Sequence, residues 1–293
     1  MGFTKVKKYR PAVQALWKRT SPCKICPHKC NTNRTRMHDG FCSMTQKPKV
    51  SSSGPHFGEE SVLVGSGGSG AIFFSGCNLK CVFCQNYEIS HHNLGAKCTV
   101  EELAATMLLL QGLECSNINL VTPTHFAAPI AAAIDIAKKE GLHLPIVYNT
   151  GGYDSVETLK LLKGYVNIYM PDMKFASSKV AKDLCGAANY PRINRLAVKE
   201  MHRQVGDLKT RNGLATRGLL VRHLVLPDDL AGSFKIIDFL VDEISENTTI
   251  NIMDQYHPCY EACKKPKLNR CPTEDEVETV RNYAIDSGLN VLD

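Results

Sequence analysis

The sequence predicts an α/β protein built as a partial (β/α)6 barrel of the TIM type, preceded by a small cysteine-rich extension. From residue 71 onward, short apolar runs alternate with amphipathic helical stretches, which is typical of parallel βα units. Six such runs are present, fewer than the eight strands of a closed barrel. Residues 21–60 are instead rich in Cys, Pro, Ser, His and Gly and show no lasting periodicity.

Each predicted strand is short and rich in Val, Ile, Leu, Phe or Tyr, which favours a strand over a helix. The six predicted strands are residues 71–75, 117–122, 145–149, 166–170, 218–226 and 248–253. Residues 289–292 add a candidate closing strand. Capping boxes at residues 99–102 and 273–276 begin two of the helices. The predicted domains are therefore the extension, residues 1–60, and the barrel, residues 61–293.

Composition limits the classes of function. The chain has 293 residues, is 43% hydrophobic and carries a formal net charge of +6, which suits an anionic cofactor or a nucleic acid without requiring either. Thirteen cysteines, an odd number, argue against a closed disulfide framework and indicate metal ligation. Because the chain starts without an apolar leader and contains no long apolar run, we expect a cytoplasmic protein without a membrane span.

A loop directly after the first predicted strand carries Cys77, Cys81 and Cys84 in the spacing Cys-x3-Cys-x2-Cys. Three thiolates on one loop can bind three irons of a [4Fe–4S] cluster and leave the fourth iron open. A molecule with an amine and a carboxylate, such as the methionine end of S-adenosylmethionine (SAM), can chelate that open iron. An electron from the reduced cluster then breaks a carbon–sulfur bond and releases a 5′-deoxyadenosyl radical. Zinc normally draws four ligands, so it fits this spacing less well.

A second group of cysteines, the extension set, lies before the barrel. Its members are Cys23, Cys26, Cys30 and Cys42. Four thiolates can close a structural zinc site, and they can equally hold an auxiliary Fe–S cluster. A role in folding is the favoured prediction, because an irregular segment needs such a staple, and electron relay is the alternative. Cys259, Cys263 and Cys271 stay open as free thiols or, for Cys259, as a further ligand.

Polar residues also lie on or after the other predicted strands, and in barrels of this kind the chemistry sits at the carboxyl ends of the strands. These candidates are Thr122, His125, Asn149, Thr150, Asp172, Lys174, Arg222 and His257. Phe83, which precedes the last cysteine of the motif, either stacks near an adenine or fills space behind the loop. For any one of these polar residues taken alone, a surface or salt-bridge role is the alternative.

The motifs resemble those of the radical SAM superfamily, and more specifically of its pyruvate formate-lyase activating-enzyme-like branch. The matching stretches are SGCNLKCVFCQNYEIS, NINLVTPTHF, YNTGGYDSVETLKLL, IYMPDMKF, VRHLVLP, INIMDQYHPCY and, in the extension, SPCKICPHKCNTNR. The resemblance implies a radical SAM fold, a [4Fe–4S] cluster and reductive cleavage of SAM, followed by hydrogen abstraction from a substrate. It also implies a macromolecular substrate, with a glycyl-radical enzyme as the precedent, and a reductant such as flavodoxin or ferredoxin.

The resemblance also assigns roles to single residues. Asn149-Thr150 matches an Asp-Thr pair that lies near the SAM carboxylate with a monovalent cation, so an amide replaces one carboxylate here. Asp172 is expected to contact SAM or the cation, and Lys174 to pair with the SAM carboxylate. Arg222 matches an arginine near SAM, and a histidine that contacts SAM from the last strand corresponds to His257.

The chain departs from the family after the second predicted strand. Many relatives carry Gly-Gly-Glu there to hold the SAM amine, whereas this chain has Thr122-Pro-Thr-His125. Thr122, His125 or backbone carbonyls are therefore expected to take the amine. The Gly-Glu-Glu at residues 58–60 is expected to lie in the wrong place to substitute.

Two other functions stay open. The first is radical SAM modification of RNA, a peptide or a small molecule; the basic stretch at residues 199–211 suits phosphates but lacks interleaved aromatic residues. The second is a non-catalytic metal-binding protein that mediates interactions. Detection of reductive SAM cleavage distinguishes the two radical SAM functions from the non-catalytic metal-binding protein.

Overall fold

The structure, a computed structural model, describes residues 9–35 and 39–292. The strands are β1 (Lys49–His56), β2 (Ser69–Phe74), β3 (Ala96–Lys97), β4 (Ile118–Val121), β5 (Ile146–Thr150), β6 (Ile168–Pro171), β7 (Lys209–Arg211), β8 (Leu214–Leu224), β9 (Thr249–Met253) and β10 (Asn290–Leu292). The helices are α1 (Pro11–Lys18), α2 (Ser61–Val64), α3 (Tyr87–Ser90), α4 (Val100–Gly112), α5 (Ala127–Lys139), α6 (Val156–Leu161), α7 (Ser178–Cys185), α8 (Tyr190–Val205), α9 (Ser233–Glu243) and α10 (Glu274–Asp286).

The described strands form one mixed, mostly parallel sheet that is not closed. Its order is β10-β9-β8-β6-β5-β4-β2-β1-β3, with β7 paired to β8. The six predicted strands correspond to β2, β4, β5, β6, β8 and β9, which are parallel neighbours in the sheet. The candidate closing strand is β10, which pairs in parallel with β9. The predicted partial barrel is therefore confirmed.

The two faces of the parallel strands pack against different partners, because successive side chains of a strand point to opposite sides. Outward-facing residues such as Ile72, Leu120 and Tyr148 join the helices in the largest apolar cluster. Inward-facing residues of β5, β6 and β8 form a smaller cluster with Leu63 of α2. Asn117, just before β4, donates from its side chain to the Leu63 carbonyl (2.7 Å). Helix α2 therefore fills the barrel interior at the amino ends of the strands.

Three strands lie outside the sequence prediction. β1 and β3 extend the sheet in antiparallel fashion beyond β2, and β7 forms a hairpin with β8. The sequence of β1, KVSSSGPH, is rich in residues of low strand propensity, so its pairing with β2 is what makes it a strand. The domain boundary near residue 60 stays a prediction, and β1 continues the barrel sheet from the amino-terminal side of that boundary.

Both predicted capping boxes are confirmed. At the start of α4, the Thr99 hydroxyl accepts from the Glu102 amide (3.1 Å) and the Glu102 carboxylate accepts from the Thr99 amide (2.7 Å). Thr273 and Glu276 make the same reciprocal pair at the start of α10. These bonds satisfy amide groups that a helix start otherwise leaves without partners. Throughout residues 9–35 and 39–292, every helix is too short or too polar to cross a bilayer.

Candidate cluster and cofactor site

The cluster loop, residues 75–86, follows β2 and carries the three cysteines of the central motif. Gly76 has a φ of 77°, and a β-carbon there would lie 2.9 Å from the carbonyl oxygen of Cys42, so the loop passes close to the extension. On its other side, the amides of Lys80 and Val82 donate to the carbonyls of Cys185 (3.0 Å) and Leu184 (2.9 Å). The loop is thus held between the extension and the end of α7.

The three thiols of the loop lie in a setting suited to metal-bound thiolates. Burial raises the pKa of Cys77 to about 11, while the amide of Leu79, which donates to its Sγ (3.3 Å), and Lys174 oppose that rise. Burial likewise raises the pKa of Cys81, again opposed by Lys174. The Ser90 hydroxyl lies 3.1 Å from the Cys84 Sγ. A bound metal reverses the cost of burial, since it deprotonates a coordinating thiol.

No three or more His, Cys, Asp or Glu side chains within the described ranges are arranged to hold one metal ion. A cubane differs from a single ion because each thiolate binds a different iron. What the loop offers such a cluster is three neighbouring thiols: Cys84 raises the pKa of Cys77, and both Cys77 and Cys84 raise the pKa of Cys81. The donor set, the N–H···S bond and the nearby lysine fit an Fe–S cluster.

Phe83 packs behind the cluster loop. Its ring meets those of Phe175 (centroids 6.1 Å apart) and Tyr256 (5.8 Å) edge-on, in an apolar cluster that also contains Cys81. The amide of Glu261 donates to the carbonyl of Val82 (2.8 Å), so the segment after β9 covers this side of the loop. Of the two roles expected for Phe83, the packing supports the filling of space behind the loop.

Arg222 of β8 contacts two predicted site residues at the carboxyl ends of neighbouring strands, and a third, Lys174, joins them through Asp172. Its Nε donates to the Asp172 Oδ1 (2.9 Å) and its Nη2 to the Asn149 Oδ1 (2.7 Å). The Lys174 Nζ donates to the Asp172 Oδ2 (2.6 Å). Burial by itself raises the pKa of Asp172, but Arg222 and Lys174 outweigh it, so that pKa lies below its ordinary value. Asp172 is therefore an ionised carboxylate clamped between two cations.

His125 is buried behind the cluster loop, away from the open mouth where the SAM amine was expected. Its Nε2 lies 2.8 Å from the Ser75 carbonyl oxygen, and its Nδ1 is buried without a hydrogen-bond partner. Burial, reinforced by the positive charge of Arg34, lowers the pKa of His125 to about 3. The neutral ring holds the end of β2, from which the cluster loop departs.

Acidification from about pH 7 to about pH 5.5 is expected to lower the free energy of unfolding by about 1 kcal/mol through His125 alone. In the unfolded chain a histidine of pKa 6.5 takes up a proton over this range, whereas folded His125 stays neutral because its pKa is about 3. Urea unfolding at both pH values measures the loss. His125→Gln should remove that share of the pH dependence, and the exposed His143→Gln should keep it; equal slopes in both variants would contradict the assignment.

Thr150 is held by a buried carboxylate that the sequence did not single out. Asp154 accepts from the hydroxyls of Thr150 (2.7 Å), Thr124 (2.8 Å) and Tyr148 (3.2 Å). Burial raises the pKa of Asp154, and these three donors oppose the rise. The network ties the end of β5 to the turn after β4. Asp154 lies inside the matching stretch YNTGGYDSVETLKLL, which was the only signal for it.

Two other predicted residues lie at the rim. Thr122 directly follows β4 with a φ of 60°, which is uncommon for a β-branched residue, and its amide donates to the Asn149 carbonyl (2.8 Å). His257 is exposed, with its Nδ1 3.3 Å from the Gln85 Nε2 of the cluster loop. The carboxamide of Gln85 also donates to the Gln255 carbonyl (3.2 Å), so the chain after β9 meets the cluster loop at the rim.

The barrel cavity, about 890 Å³ in volume, lies inside the ring of strands and reaches the cluster loop at Asn86. Of the predicted site residues, Asn149 and Arg222 line it. The remaining wall is built by His56, Phe57, Gly58, Glu59, Glu60, Ser61, Val64, Gly65, Phe73, Val121, Asn251, Met253 and Gln255. Its volume lies in the range of small-molecule sites in proteins.

The expectation that Gly-Glu-Glu at residues 58–60 lies in the wrong place was too restrictive. After β1 the chain turns into the barrel, and the acidic pair, Glu59 and Glu60, lines the barrel cavity. The Arg222 Nη1 lies 3.7 Å from the Glu60 Oε1 and 3.9 Å from the Glu59 Oε2. These glutamates therefore belong to the same charged network as Asp172 and Lys174.

The extension set is gathered beside the cluster loop. Burial raises the pKa of Cys26, and negative charge on Cys42, Cys23 and Cys30 would raise it further, so the four thiols are neighbours. The Phe41 amide donates to the Cys30 Sγ (3.4 Å). Burial raises the pKa of Cys42, and the buried Arg34 opposes that rise. A sulfur-directed amide and a buried cation suit an Fe–S cluster, in which each thiolate binds a different iron, although the described side chains of this set are not arranged around one metal ion.

The three late cysteines lie elsewhere. Cys259 and Cys271 lie near Tyr256, whose pKa both thiolates would raise, and the side chains of Cys263 and Cys271 are exposed.

A family model described as the radical SAM superfamily matches residues 71–222, more than half of the chain. The chain belongs to the radical SAM superfamily. Membership implies a [4Fe–4S] cluster and SAM as cofactors, and it supports the interpretation that the protein is an enzyme.

Two uncharacterised proteins of Methanocaldococcus jannaschii are similar in sequence. MJ0674 is 32% identical over 92% of this chain and 76% of its own length, and MJ0808 is 25% identical over 92% and 79%.

The radical SAM chain also resembles a solved structure, that of Streptococcus suis SuiB bound to the precursor peptide SuiA. The TM-score is 0.50 at 11% identity, and the match covers 74% of this chain and 46% of SuiB. SuiB bound to SAM matches with the same TM-score. The chain thus aligns with less than half the length of SuiB, and at this identity the likeness concerns the fold alone.

Proposed function

We propose that Cys77, Cys81 and Cys84 hold the [4Fe–4S] cluster, and that the enzyme cleaves SAM reductively and abstracts hydrogen from a substrate. The observation that carries the proposal is the position of three neighbouring thiols on one loop at the carboxyl end of β2; the last residue of that loop, Asn86, lines the barrel cavity. Carboxyl ends of barrel strands are where enzymes of this architecture place their chemistry.

The residues around the loop suit the parts of SAM. When bound, the cluster supplies the electron that cleaves SAM. Lys174 and Arg222 present positive charge for the SAM carboxylate, and Asp172 holds both side chains in position. Arg222 also bridges Asp172 and Asn149, the two groups expected to share a monovalent cation, so we propose that its guanidinium supplies that charge. Phe83 and the segment that covers it exclude water from the back of the loop.

The substrate is proposed to be a protein or another macromolecule. The motifs shared with the activating-enzyme-like branch favour a glycyl-radical enzyme as partner, with flavodoxin or ferredoxin as the reductant in the cytoplasm. The second candidate is a peptide, favoured by the fold similarity to SuiB, which was solved with its precursor peptide. We further propose that the extension set binds zinc or an auxiliary Fe–S cluster and stabilises the extension.

Anaerobic reconstitution with iron and sulfide tests the core of this proposal. Iron is counted, the protein is reduced with dithionite in the presence of SAM, and 5′-deoxyadenosine is measured. Release of 5′-deoxyadenosine is expected, and a fully loaded protein that releases none would sink the proposal. Electron paramagnetic resonance of candidate partner enzymes then separates the substrates, since only a glycyl-radical partner gains a glycyl radical.

A further inference from the structure

The acidic pair lies inside the barrel with very little solvent contact. Only 8% of the Glu59 side chain and 4% of the Glu60 side chain are exposed. The Glu60 Oε1 accepts from the Asn251 Nδ2 (3.2 Å), which fixes that carboxylate against β9. Two carboxylates of adjacent residues thus face a cavity large enough for a small molecule.

The charges of this interior network do not balance. Three carboxylates, those of Glu59, Glu60 and Asp172, face two permanent cations, Arg222 and Lys174, and the titratable ring of His56 lines the same cavity. Asp172 already contacts both cations closely, whereas the acidic pair lies 3.7 and 3.9 Å from Arg222 alone. Burial raises the pKa of Glu59 and Glu60 adds to the rise, whereas Arg222, His56 and the side chain of Asn119 oppose it. A buried carboxylate without a matching cation is costly.

Hydrogen-bonding atoms without partners point to the same place. The Glu60 Oε2 is buried and has no hydrogen-bond partner, and the buried amide of Asn119 makes no well-aligned hydrogen bond, although it lies close enough to Glu59 to lower the pKa of that carboxyl. Asn119 is fully buried on β4 and shares its strand face with Val121, which lines the barrel cavity. It is also a neighbour of Glu59. Buried polar atoms of this kind normally have partners, so their convergence indicates a ligand group.

We propose that Glu59, Glu60 and Asn119 form a subsite that binds an organic monocation, an ammonium or a guanidinium group. The inference rests on the proposed SAM-dependent function, and it assigns a class of ligand to the barrel cavity. One excess negative charge matches a monocation, whereas a second positive charge would lie uncompensated beside Arg222. Carboxylate and amide oxygens are acceptors, which suits N–H groups that only donate. Because the amine of SAM is expected to chelate the open iron of the cluster, the cation is assigned to a basic substrate.

Binding measurements on full-length reconstituted protein with the cluster oxidised test this without turnover. Isothermal titration uses SAM, a SAM analogue lacking the amine, butylammonium and butylguanidinium, with sodium chloride matching the ionic strength. Glu60→Gln keeps the shape of the side chain and removes its charge, and Glu59→Gln is the second variant. The exposed Glu246→Gln is the control.

Glu60→Gln is expected to weaken the saturable binding of butylammonium or butylguanidinium about tenfold or more, as for loss of a charge-assisted hydrogen bond, and to leave the affinity for SAM unchanged. If Glu60→Gln instead weakens SAM and spares the analogue without the amine, the glutamates hold SAM and the substrate subsite is refuted. Affinities that do not depend on either glutamate, or that sodium chloride alone reproduces, overturn the subsite. A protein with these affinities that releases no 5′-deoxyadenosine refutes the proposed function instead.

Discussion

Alanine in place of Cys77, Cys81 or Cys84 is expected to remove about four iron atoms per chain and to abolish 5′-deoxyadenosine release. The cluster has only three protein ligands in the proposed site, so the loss of one thiolate leaves it bound by two. The same loop is fixed by backbone hydrogen bonds to Cys185 and Leu184, which the substitutions leave in place. We therefore expect the fold to survive while the cofactor is lost.

Thiols outside the loop supply the matched control. Cys271 is exposed, and Cys271→Ala should retain both the iron and the release of 5′-deoxyadenosine. Iron analysis, the visible absorption of the cluster and circular dichroism separate loss of cofactor from loss of fold. Full activity in any one of the three loop variants would show that the cluster is held elsewhere.

The barrel was predictable because its signals are local. The apolar runs of β2, β4, β5, β6, β8 and β9 and the two capping boxes all lie within short windows of sequence. β1 was not predictable in this way, since its Ser, Gly and Pro residues carry no strand pattern and it depends on β2 for its hydrogen bonds. Sequence patterns therefore identify strands that follow from their own residues, and miss those imposed by a neighbour.

The candidate site, like the fold, was predictable from sequence only in part. Order along the chain placed Asp172 and Lys174 after one predicted strand and Arg222 on the next, and the structure joins them. It gave no information on which side of a strand end a residue lies, so His125 was expected at the mouth although it is buried behind the loop. The contact between Glu60 and Arg222 joins residues far apart in sequence, through a turn that no motif marks.

Arg34 is one of the buried residues that join the extension to the barrel. Its guanidinium donates to the carbonyls of His125 (2.6 Å), Met44 (3.0 Å) and Thr45 (2.7 Å), and only 1% of the residue is exposed. His125 in turn holds Ser75 at the start of the cluster loop. One side chain therefore links the extension set, the turn after β4 and the cluster loop.

Arg34→Met is expected to destabilise the protein by about 4 kcal/mol. Three carbonyls lose a hydrogen bond from a charged donor, each worth about 1.5–3 kcal/mol, and the removal of a buried cation offsets part of this loss. For a chain of this size the melting temperature should fall by about 10 °C, measured by circular dichroism. Arg34→Lys retains the charge but not the three-way geometry, so an intermediate loss is expected. The exposed Arg192→Met should melt like the unaltered protein; equal melting of Arg34→Met and Arg192→Met would show that the extension is held to the barrel by other contacts.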